Sequence, residues 1–366
     1  MSIHNNRLAS WLCTALLPPV MDAEEREHYL RVVKAFLSYE ERSRRALQKH
    51  FRDLDNLSAE DAQLIPEYAD KLKELADVVL PLNQAAFNTI MEAVIEETDL
   101  VSLQSLSLWP TDRDYETLRS TLRQMVRDWS SMGAAERAAC YTPILKDLET
   151  LFPGERSNIK VLFPGAGLGR LAYEATQLGF QVQGNEFSLY MLFTSQFLLN
   201  HSQPNCMQIA PFAIPLSNKT SKFAAHQTIS IPDIKIQPPL ADFSMTAGDF
   251  LEVYGRDEEA SSWDCLVSCY FIDTAPNVLE YLRVIWKLLR PGGYWINHGP
   301  LQYHFEGSHS EKSIELTWEE LRLAAERIGF RFISDTIGDW NGYASEGGSL
   351  STTKYLPIHS IAIKDS

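Results

Sequence analysis

The residues best suited to ligand chemistry lie close together in the stretch VLFPGAGLGRLAYEATQLGFQVQGNE, which ends at Glu186. Gly165, Gly167 and Gly169 alternate with other residues between a short apolar run and a helical pattern. Because glycine adopts backbone conformations that other residues avoid, this loop can turn sharply and approach a ligand closely. Glu186 ends the next apolar run, where its carboxylate could accept hydrogen bonds from two ribose hydroxyls. These residues together predict a site for a ligand that contains a nucleoside.

The spacing of the glycines distinguishes between such ligands. Dinucleotide-binding loops have the pattern G-x-G-x-x-G, in which the third glycine allows close helix packing so that a pyrophosphate can lie on the helix N-terminus. Here the pattern is G-x-G-x-G, and Arg170 and Leu171 already begin the helix. Such a loop suits a zwitterionic amino-acid tail or a ribose edge. Glu186 alone does not decide, since an acid at this position serves NAD and S-adenosylmethionine equally.

Three later features favour S-adenosylmethionine. In the motif GDF, Asp249 could accept the adenine amino group while Phe250 contacts the adenine face. Asp273 ends the run CLVSCYFID, over the place where a methyl group would be delivered, and KLLRPGGYWI is typical of the turn before the fifth strand of methyltransferases. Each of the two acids could instead cap the helix that follows it.

The elements that must position these residues follow from the hydrophobic pattern. Residues 1–150 carry apolar positions at helical spacing among mixed charges, which predicts an all-helical N-terminal region. In residues 151–366 short apolar runs alternate with helical patterns, which predicts an α/β fold with a doubly wound, Rossmann-like sheet. A segment at about 205–242, rich in Pro, Asn and Ser, predicts an irregular insertion over that sheet.

The composition favours a globular protein and argues against several classes of partner. With 33 basic and 48 acidic residues the net charge is −15, which repels nucleic-acid phosphates and anionic lipid surfaces. The five cysteines are scattered, and Cys265 and Cys269 form a CxxxC pair without a second pair. We therefore expect reduced thiols, no zinc or other metal, and a cytoplasmic and nuclear protein. Arg7–Val20 loosely resembles a signal peptide but is too short to span a membrane, and it is better explained as a packed helix.

A longer series of motifs resembles the carnosine N-methyltransferase family, the N2227-like proteins. From about Gln124 to Glu306 the series contains, in order, QMVRDWS, ERAACYTPI, PGAGLGRLAYE, GNEFSLYMLF, FSMTAGDF, FIDTAPNVLEY, WKLLRPGG and GPLQYHFE. The resemblance implies a class I methyltransferase sheet and transfer of the methyl group of S-adenosylmethionine to the imidazole of a histidine-containing dipeptide, which converts carnosine to anserine. It also suggests a homodimer.

The same resemblance implies roles for individual residues. For the donor these residues are Gln124, Arg127, Gly165, Gly167, Gly169, Glu186, Asp249, Phe250 and Cys269, with Arg127 near the methionine carboxylate and Cys269 beside the sulfonium. For the acceptor they are Phe271, Asp273, His304 and Tyr355. The chain departs from the family's animal members at Pro276, where those have a histidine after DTA.

The chemistry asked of the acceptor residues is orientation. Imidazole has a pKa near 6.5 and is already mostly neutral at pH 7, so no strong base is needed. A carboxylate that accepts the N–H of one ring nitrogen leaves the lone pair of the other free, and it stabilises the positive charge that grows on the ring. We expect Asp273 to orient the ring and His304 to assist.

The same residues bear on the alternative functions. An NAD-dependent oxidoreductase is disfavoured by the glycine spacing, and a scaffold without turnover would not need Glu186, Asp249 and Asp273. Methylation of a histidine within a peptide, or of another small molecule, remains the alternative because the sequence does not define the width of the groove. His298 is expected to be structural. The residues with helical aromatic spacing, expected in the core, are Phe187, Tyr190, Phe193 and Phe197.

Overall fold

The computed structural model describes residues 23–95 and 109–365, so the segment Arg7–Val20 lies outside it. The N-terminal part is helical, as predicted. Its helices are α1 (Ala23–Leu37), α2 (Tyr39–Asp55), α3 (Ala59–Leu64), α4 (Tyr68–Glu74), α5 (Leu80–Val94), α6 (Asp112–Trp129) and α7 (Ala134–Leu151), with a π-helical turn at Leu75–Val79. Within the described ranges, no helix is both long and apolar enough to cross a membrane.

Helix α6 begins at a capping box. The Thr111 hydroxyl accepts the N–H of Asp114, and the Asp114 carboxylate accepts the N–H of Thr111 at 2.7 Å. This reciprocal pair satisfies backbone donors that a helix start leaves without partners. The capping box therefore defines the residue at which α6 starts.

The second part of the chain forms a seven-stranded sheet. Its strands are β1 (Lys160–Pro164), β2 (Gln181–Glu186), β5 (Phe243–Ala247), β6 (Trp263–Cys269), β7 (Leu289–Gly299), β8 (Phe330–Ile337) and β11 (Ile358–Lys364), in the order β5-β2-β1-β6-β7-β11-β8. All neighbours pair in parallel except β11, which is antiparallel to both β7 and β8. The predicted Rossmann-like α/β class is confirmed.

Helices connect these strands on both faces of the sheet. They are α8 (Arg170–Gln177), α9 (Leu189–Asn200), α10 (Phe250–Tyr254), α11 (Val278–Leu288) and α12 (Trp318–Ile328). Strand β5 ends at Ala247, because Asp249 caps a helix that starts at Phe250. The turn expected at KLLRPGG lies inside β7 and not before it, since β7 already begins at Leu289.

The remaining short elements lie outside the main sheet. The predicted insertion at 205–242 is mostly irregular, but it contains an antiparallel pair, β3 (Met207–Ile209) and β4 (Ile229–Ile231), and a 3₁₀ turn at Ala224–His226. Near the C-terminus β9 (Asn341–Gly342) pairs with β10 (Lys354–Tyr355).

The helical part and the sheet share one apolar core. Phe36 of α1 packs edge-on against Phe87 of α5, with ring centroids 5.2 Å apart, and stacks on Tyr190 of α9 at 5.7 Å. The same cluster of buried side chains continues through α6 and α7 to Val267 and Ile296 on one face of the sheet. Since burial of apolar area is the main stabilising contribution to folding, α6 and α7 are held firmly against that face.

Candidate active site

A cavity of about 960 Å³ opens at the carboxyl ends of β1, β2, β5 and β6, where the strand order reverses. Open α/β sheets bind their ligands at this place. The predicted site residues that line the cavity are Gln124, Arg127, Gly165, Gly167, Glu186, Asp249, Phe250, Cys269, Phe271 and His304. Gly169, Asp273 and Tyr355 do not line it.

The glycine loop follows β1, and its first two glycines are needed for different reasons. Gly165 and Gly167 have φ angles of 66° and 56°, in the left-handed region that favours glycine. A Cβ atom on Gly165 would lie 2.6 Å from Cδ2 of Phe271, whereas one on Gly167 would meet no atom within 4 Å. Gly165 therefore allows packing against Phe271, and Gly167 leaves space toward the cavity. Gly169 instead faces Leu199, whose Cδ1 would be 3.1 Å from an added Cβ.

Glu186 lies at the end of β2, with its carboxylate beside the glycine loop. Oε2 accepts the N–H of Gly167 at 2.8 Å, while Oε1 accepts the N–H groups of Phe187 at 2.9 Å and Ser188 at 2.8 Å. Burial raises the pKa of Glu186, and these three N–H groups oppose the rise. A carboxylate offers about four acceptor positions, so Oε2 retains capacity for a ligand hydroxyl.

Asp249 caps a helix, which was one of the two roles considered for it from the sequence. Its Oδ1 accepts the N–H groups of Leu251 at 2.8 Å and Glu252 at 3.2 Å, which caps α10. The residue also lines the cavity, and Oδ2 is left to accept a ligand amino group. The corresponding capping alternative for Asp273 is wrong, because Asn277 caps α11.

An aromatic wall follows Asp249. The Phe271 ring stacks on Tyr281 with centroids 4.8 Å apart, and the Phe250 ring meets Phe271 edge-on at 5.4 Å. Phe271 is only 6% exposed. Its contribution is therefore the shape of the wall, which also presses against the glycine loop.

Arg127 of α6 is buried at the base of the cavity. Its guanidinium lies 5.1–5.4 Å from the ring centroids of Tyr141, Tyr270 and Tyr343. Nε is 3.0 Å from Oε1 of Glu136. Nη2, however, is buried and has no hydrogen-bond partner among the described residues. Buried donors are normally satisfied, so an acidic ligand group fits here.

Gln124 and Cys269 complete this side of the cavity. The Gln124 amide donates to the Tyr343 hydroxyl at 3.0 Å, which ties α6 to the C-terminal part of the chain. Burial raises the pKa of the Cys269 thiol to about 12, against the opposing effect of Arg127. Cys269 is therefore a neutral thiol at physiological pH and not a nucleophile.

Two of the predicted acceptor residues, Asp273 and Tyr355, are connected through Gln302, which was not predicted from the sequence. Oδ2 of Asp273 accepts the Gln302 N–H at 2.9 Å, and the Tyr355 hydroxyl donates to Oε1 of Gln302 at 2.5 Å. The His304 N–H donates to the Asp273 carbonyl at 3.0 Å. Burial raises the pKa of Asp273, whereas the Gln302 N–H and His304 oppose the rise. The residues thus form one connected group beside the cavity, with His304 facing into it.

Phe187 differs from the other aromatic residues of its predicted stripe. Tyr190, Phe193 and Phe197 are buried as predicted, but Phe187 is 69% exposed and lines the cavity. It precedes α9, so helical spacing does not apply to it. The available signal was its position directly after Glu186 at a strand end. Other lining residues that the sequence analysis did not identify are Arg123, Asp128, Tyr141, Ser188, Met191, Thr274, Tyr281 and Tyr343.

The residues around the cavity fit S-adenosylmethionine. The orphaned Nη2 of Arg127 suits the methionine carboxylate, and the free acceptor capacity of Glu186 suits a ribose hydroxyl. Asp249 and Phe250 offer an acceptor and an aromatic edge for adenine. Across the ranges 23–95 and 109–365, no group of three or more His, Cys, Asp or Glu side chains is placed to hold a metal ion.

Comparison with known proteins agrees with this geometry. A family model described as carnosine N-methyltransferase matches residues 104–365. The carnosine N-methyltransferase of Mus musculus is 41% identical over 320 residues, which cover 84% of this chain and 78% of the mouse protein. The carnosine N-methyltransferase of Schizosaccharomyces pombe is 37% identical over 357 residues, covering 92% of this chain and 95% of the yeast protein. This chain therefore belongs to the carnosine N-methyltransferase family.

Proposed function

We propose that this protein transfers the methyl group of S-adenosylmethionine to an imidazole nitrogen of carnosine, giving anserine. The observation that carries the proposal is one cavity with two chemically different ends. One end has Glu186 and Asp249 as acceptors for an adenosine, and the other is lined by His304. The buried carboxylate of Asp273 lies behind this second end, where it accepts the Gln302 N–H. Family membership supports carnosine as the acceptor.

The donor end holds its ligand by charge and hydrogen bonding. S-adenosylmethionine, when bound, supplies an electrophilic methyl group on a sulfonium. Arg127 would hold the methionine carboxylate, Glu186 a ribose hydroxyl and Asp249 the adenine amino group. The neutral thiol of Cys269 provides a polarisable and uncharged surface beside them.

The acceptor end orients the imidazole. Because Oδ2 of Asp273 already accepts the Gln302 N–H, Oδ1 is the oxygen that can accept the N–H of one ring nitrogen. The lone pair of the other ring nitrogen would then be directed to the methyl carbon, so that the new N–C bond would form as the S–C bond of the donor breaks and S-adenosylhomocysteine leaves. The ring would become cationic as the methyl group arrives, and the buried carboxylate would stabilise this developing charge. The N–H held by Asp273 would afterwards give up its proton, through that carboxylate, to water, which leaves the neutral methylated imidazole. His304 would support the ring from the cavity side.

Mass spectrometry of the purified protein with S-adenosylmethionine tests the proposal. Carnosine, homocarnosine and histidine-containing peptides are offered in parallel. We expect a gain of one methyl group on carnosine, located on the imidazole by fragmentation. Methylation of the peptides alone would replace carnosine by peptidyl histidine as the acceptor.

The substitution Asp273→Asn keeps an oxygen that can accept the Gln302 N–H, but it removes the negative charge. We expect kcat to fall by about 100-fold or more, because electrostatic stabilisation of this kind is commonly worth that much. The dissociation constant of S-adenosylmethionine should change little. Steady-state kinetics with carnosine and calorimetry with the donor measure both, and near wild-type turnover would refute the orienting role.

The assembly and the compartment are further parts of the proposal. We infer a homodimer from the family resemblance, and a cytoplasmic and nuclear location from the cysteines. The thiols of Cys140, Cys206, Cys265 and Cys269 are free. Light scattering during size exclusion tests the dimer, and a single-chain mass would exclude it. Microscopy of a tagged protein tests the location, which exclusive labelling of secretory compartments would contradict.

A further inference from the structure

Arg123 is a charged residue of the cavity wall that forms no ion pair with any of the described residues. Arg123 lies on α6, one turn before Arg127, and lines the cavity. Its side chain is half-buried. Within the described part of the chain it makes no hydrogen bond, ion pair or ring contact. A partly buried cation without a counter-charge is unfavourable unless something supplies that charge.

The nearby acids do not supply it, because each is engaged elsewhere. Glu116, two turns back on the same helix, forms an ion pair with Arg119. Glu346 forms an ion pair with the buried Lys219. Burial, together with the neighbouring charge of Arg119, lowers the pKa of Arg123, although Glu116 and Glu346 oppose this. Although Glu116 lines the same cavity, the wall therefore presents a cation that forms no ion pair with a carboxylate of the described residues.

Arg127, on the same helix face, differs from Arg123 because it has protein carboxylates close to its guanidinium. It has Glu136 within 3.0 Å and Asp128 at 3.6 Å, and it is enclosed by tyrosine rings. The methionine carboxylate has been placed at its remaining donor. Arg123 is thus left for a second carboxylate, and carnosine has one on its histidine.

Contacts of neighbouring side chains connect the helix turn of Arg123 with the acceptor end of the cavity. The adjacent Gln124 binds the Tyr343 hydroxyl, and Tyr343 lies 5.8 Å from Tyr355 between ring centroids. Tyr355 in turn binds Gln302, the residue that holds Asp273. A chain of direct contacts therefore leads from the helix turn of Arg123 to the group that orients the imidazole.

We propose that Arg123 recognises the free carboxylate of the acceptor and so selects histidine dipeptides over internal histidines of proteins. This inference rests on the proposed function. The guanidinium binds a carboxylate through two parallel N–H donors, and the opposite charges strengthen this pairing. A neutral amide lacks the negative charge. A histidine inside a polypeptide has an amide at that position and leaves Arg123 unpaired.

The test compares carnosine with its carboxamide, which keeps the imidazole and the amino group but lacks the negative charge. Dissociation constants are measured by calorimetry with S-adenosylhomocysteine present, and kcat/KM is measured separately. The wild type should bind the carboxamide about 10- to 100-fold more weakly, as expected for a lost hydrogen bond to a charged group. Arg123→Gln should lose a similar factor for carnosine and under 3-fold, roughly, for the carboxamide. Arg123→Lys should restore part of the preference, because it keeps the charge without the paired donors.

The control variant is Arg52→Gln, which removes the same charge from an exposed position of α2 and should keep the full preference. Equal losses for both ligands in Arg123→Gln would overturn the inference, as would weaker binding of S-adenosylmethionine with unchanged binding of carnosine. The latter result would assign Arg123 to the donor carboxylate. If the wild type methylates carnosine without preferring it to the carboxamide, only this inference fails. If the wild type neither binds nor methylates carnosine, the proposed function fails with it.

Discussion

At the scale of single residues, the contact between Gly165 and Phe271 determines the shape of the donor site. The glycine has a positive φ, and the phenylalanine ring occupies the space of a Cβ atom. Both features exclude a side chain. Gly167, two residues on, shares only the first feature, since a Cβ there meets open space. Alanine substitutions at the two glycines can therefore separate the cost of backbone strain from the cost of steric overlap.

Gly165→Ala should lower the free energy of unfolding by about 3 kcal/mol, of which strain and overlap each contribute a part. Gly167→Ala should cost only about 1–2 kcal/mol, because it introduces strain alone. Urea unfolding of the two variants measures the difference. A Gly165→Ala protein no less stable than the Gly167→Ala protein would show that Phe271 moves away freely.

At the scale of elements, α10 depends on the same residue that faces the cavity. This helix extends only from Phe250 to Tyr254, and Asp249 satisfies two of its first N–H groups. Short helices have little stability of their own, so the cap is a substantial part of what fixes Phe250 in the wall. Binding of the donor and local folding are therefore coupled at one carboxylate.

Substitutions of Asp249 can separate these two roles. Asn is as good an N-cap as Asp, so Asp249→Asn should leave the free energy of unfolding nearly unchanged. It should weaken S-adenosylmethionine binding about 10-fold, because an amide N–H₂ would replace the free oxygen. Asp249→Ala should show the same weakening and lose a further ~1 kcal/mol of stability. Calorimetry and urea unfolding measure the two effects; donor affinity unchanged in both variants would remove Asp249 from the site.

At the scale of the whole molecule, a histidine pair joins the helical part to the sheet. Nδ1 of His298 on β7 lies 3.1 Å from Nδ1 of His359 on β11, and Nε2 of His359 lies 2.7 Å from Asp147 on α7. Burial, together with His359 and Arg127, lowers the pKa of His298 from 6.5 to about 3. His298 is therefore neutral in the folded protein, in agreement with its predicted structural role.

This pKa makes global stability depend on pH in a defined direction. The unfolded chain binds a proton on His298 below about pH 6.5, whereas the folded protein does so only near pH 3, so stability falls as pH falls through this window. Between pH 7.5 and pH 5 the group should account for about 2 kcal/mol of the loss. Urea unfolding at both pH values should show this part of the loss in the wild type and in the exposed control His309→Gln, but not in His298→Gln. An equal loss in all three proteins would mean that His298 is not the group responsible.

The parts of the site that the sequence predicted well are those that depend on local backbone and side-chain period. The glycine loop, the start of α8 at Arg170 and the acid at the end of β2 all lie within one strand-loop-helix-strand unit. Their patterns reflect backbone conformations and strand burial that neighbouring residues largely determine. The start of α10 was predicted only as an alternative role of Asp249, because the pattern does not show whether a cap outweighs the apolar run around it.

What only the tertiary structure decided are contacts between distant parts of the chain. The pairing of His298 with His359 follows from the register of β7 against β11, and the link from Asp273 to Tyr355 through Gln302 joins three segments that are distant in sequence. Arg123 has no ion-pair partner among the described residues because Glu116 pairs with Arg119 and Glu346 pairs with Lys219. Such contacts depend on strand order, register and competition between ion pairs, which are properties of the folded arrangement that no local pattern records.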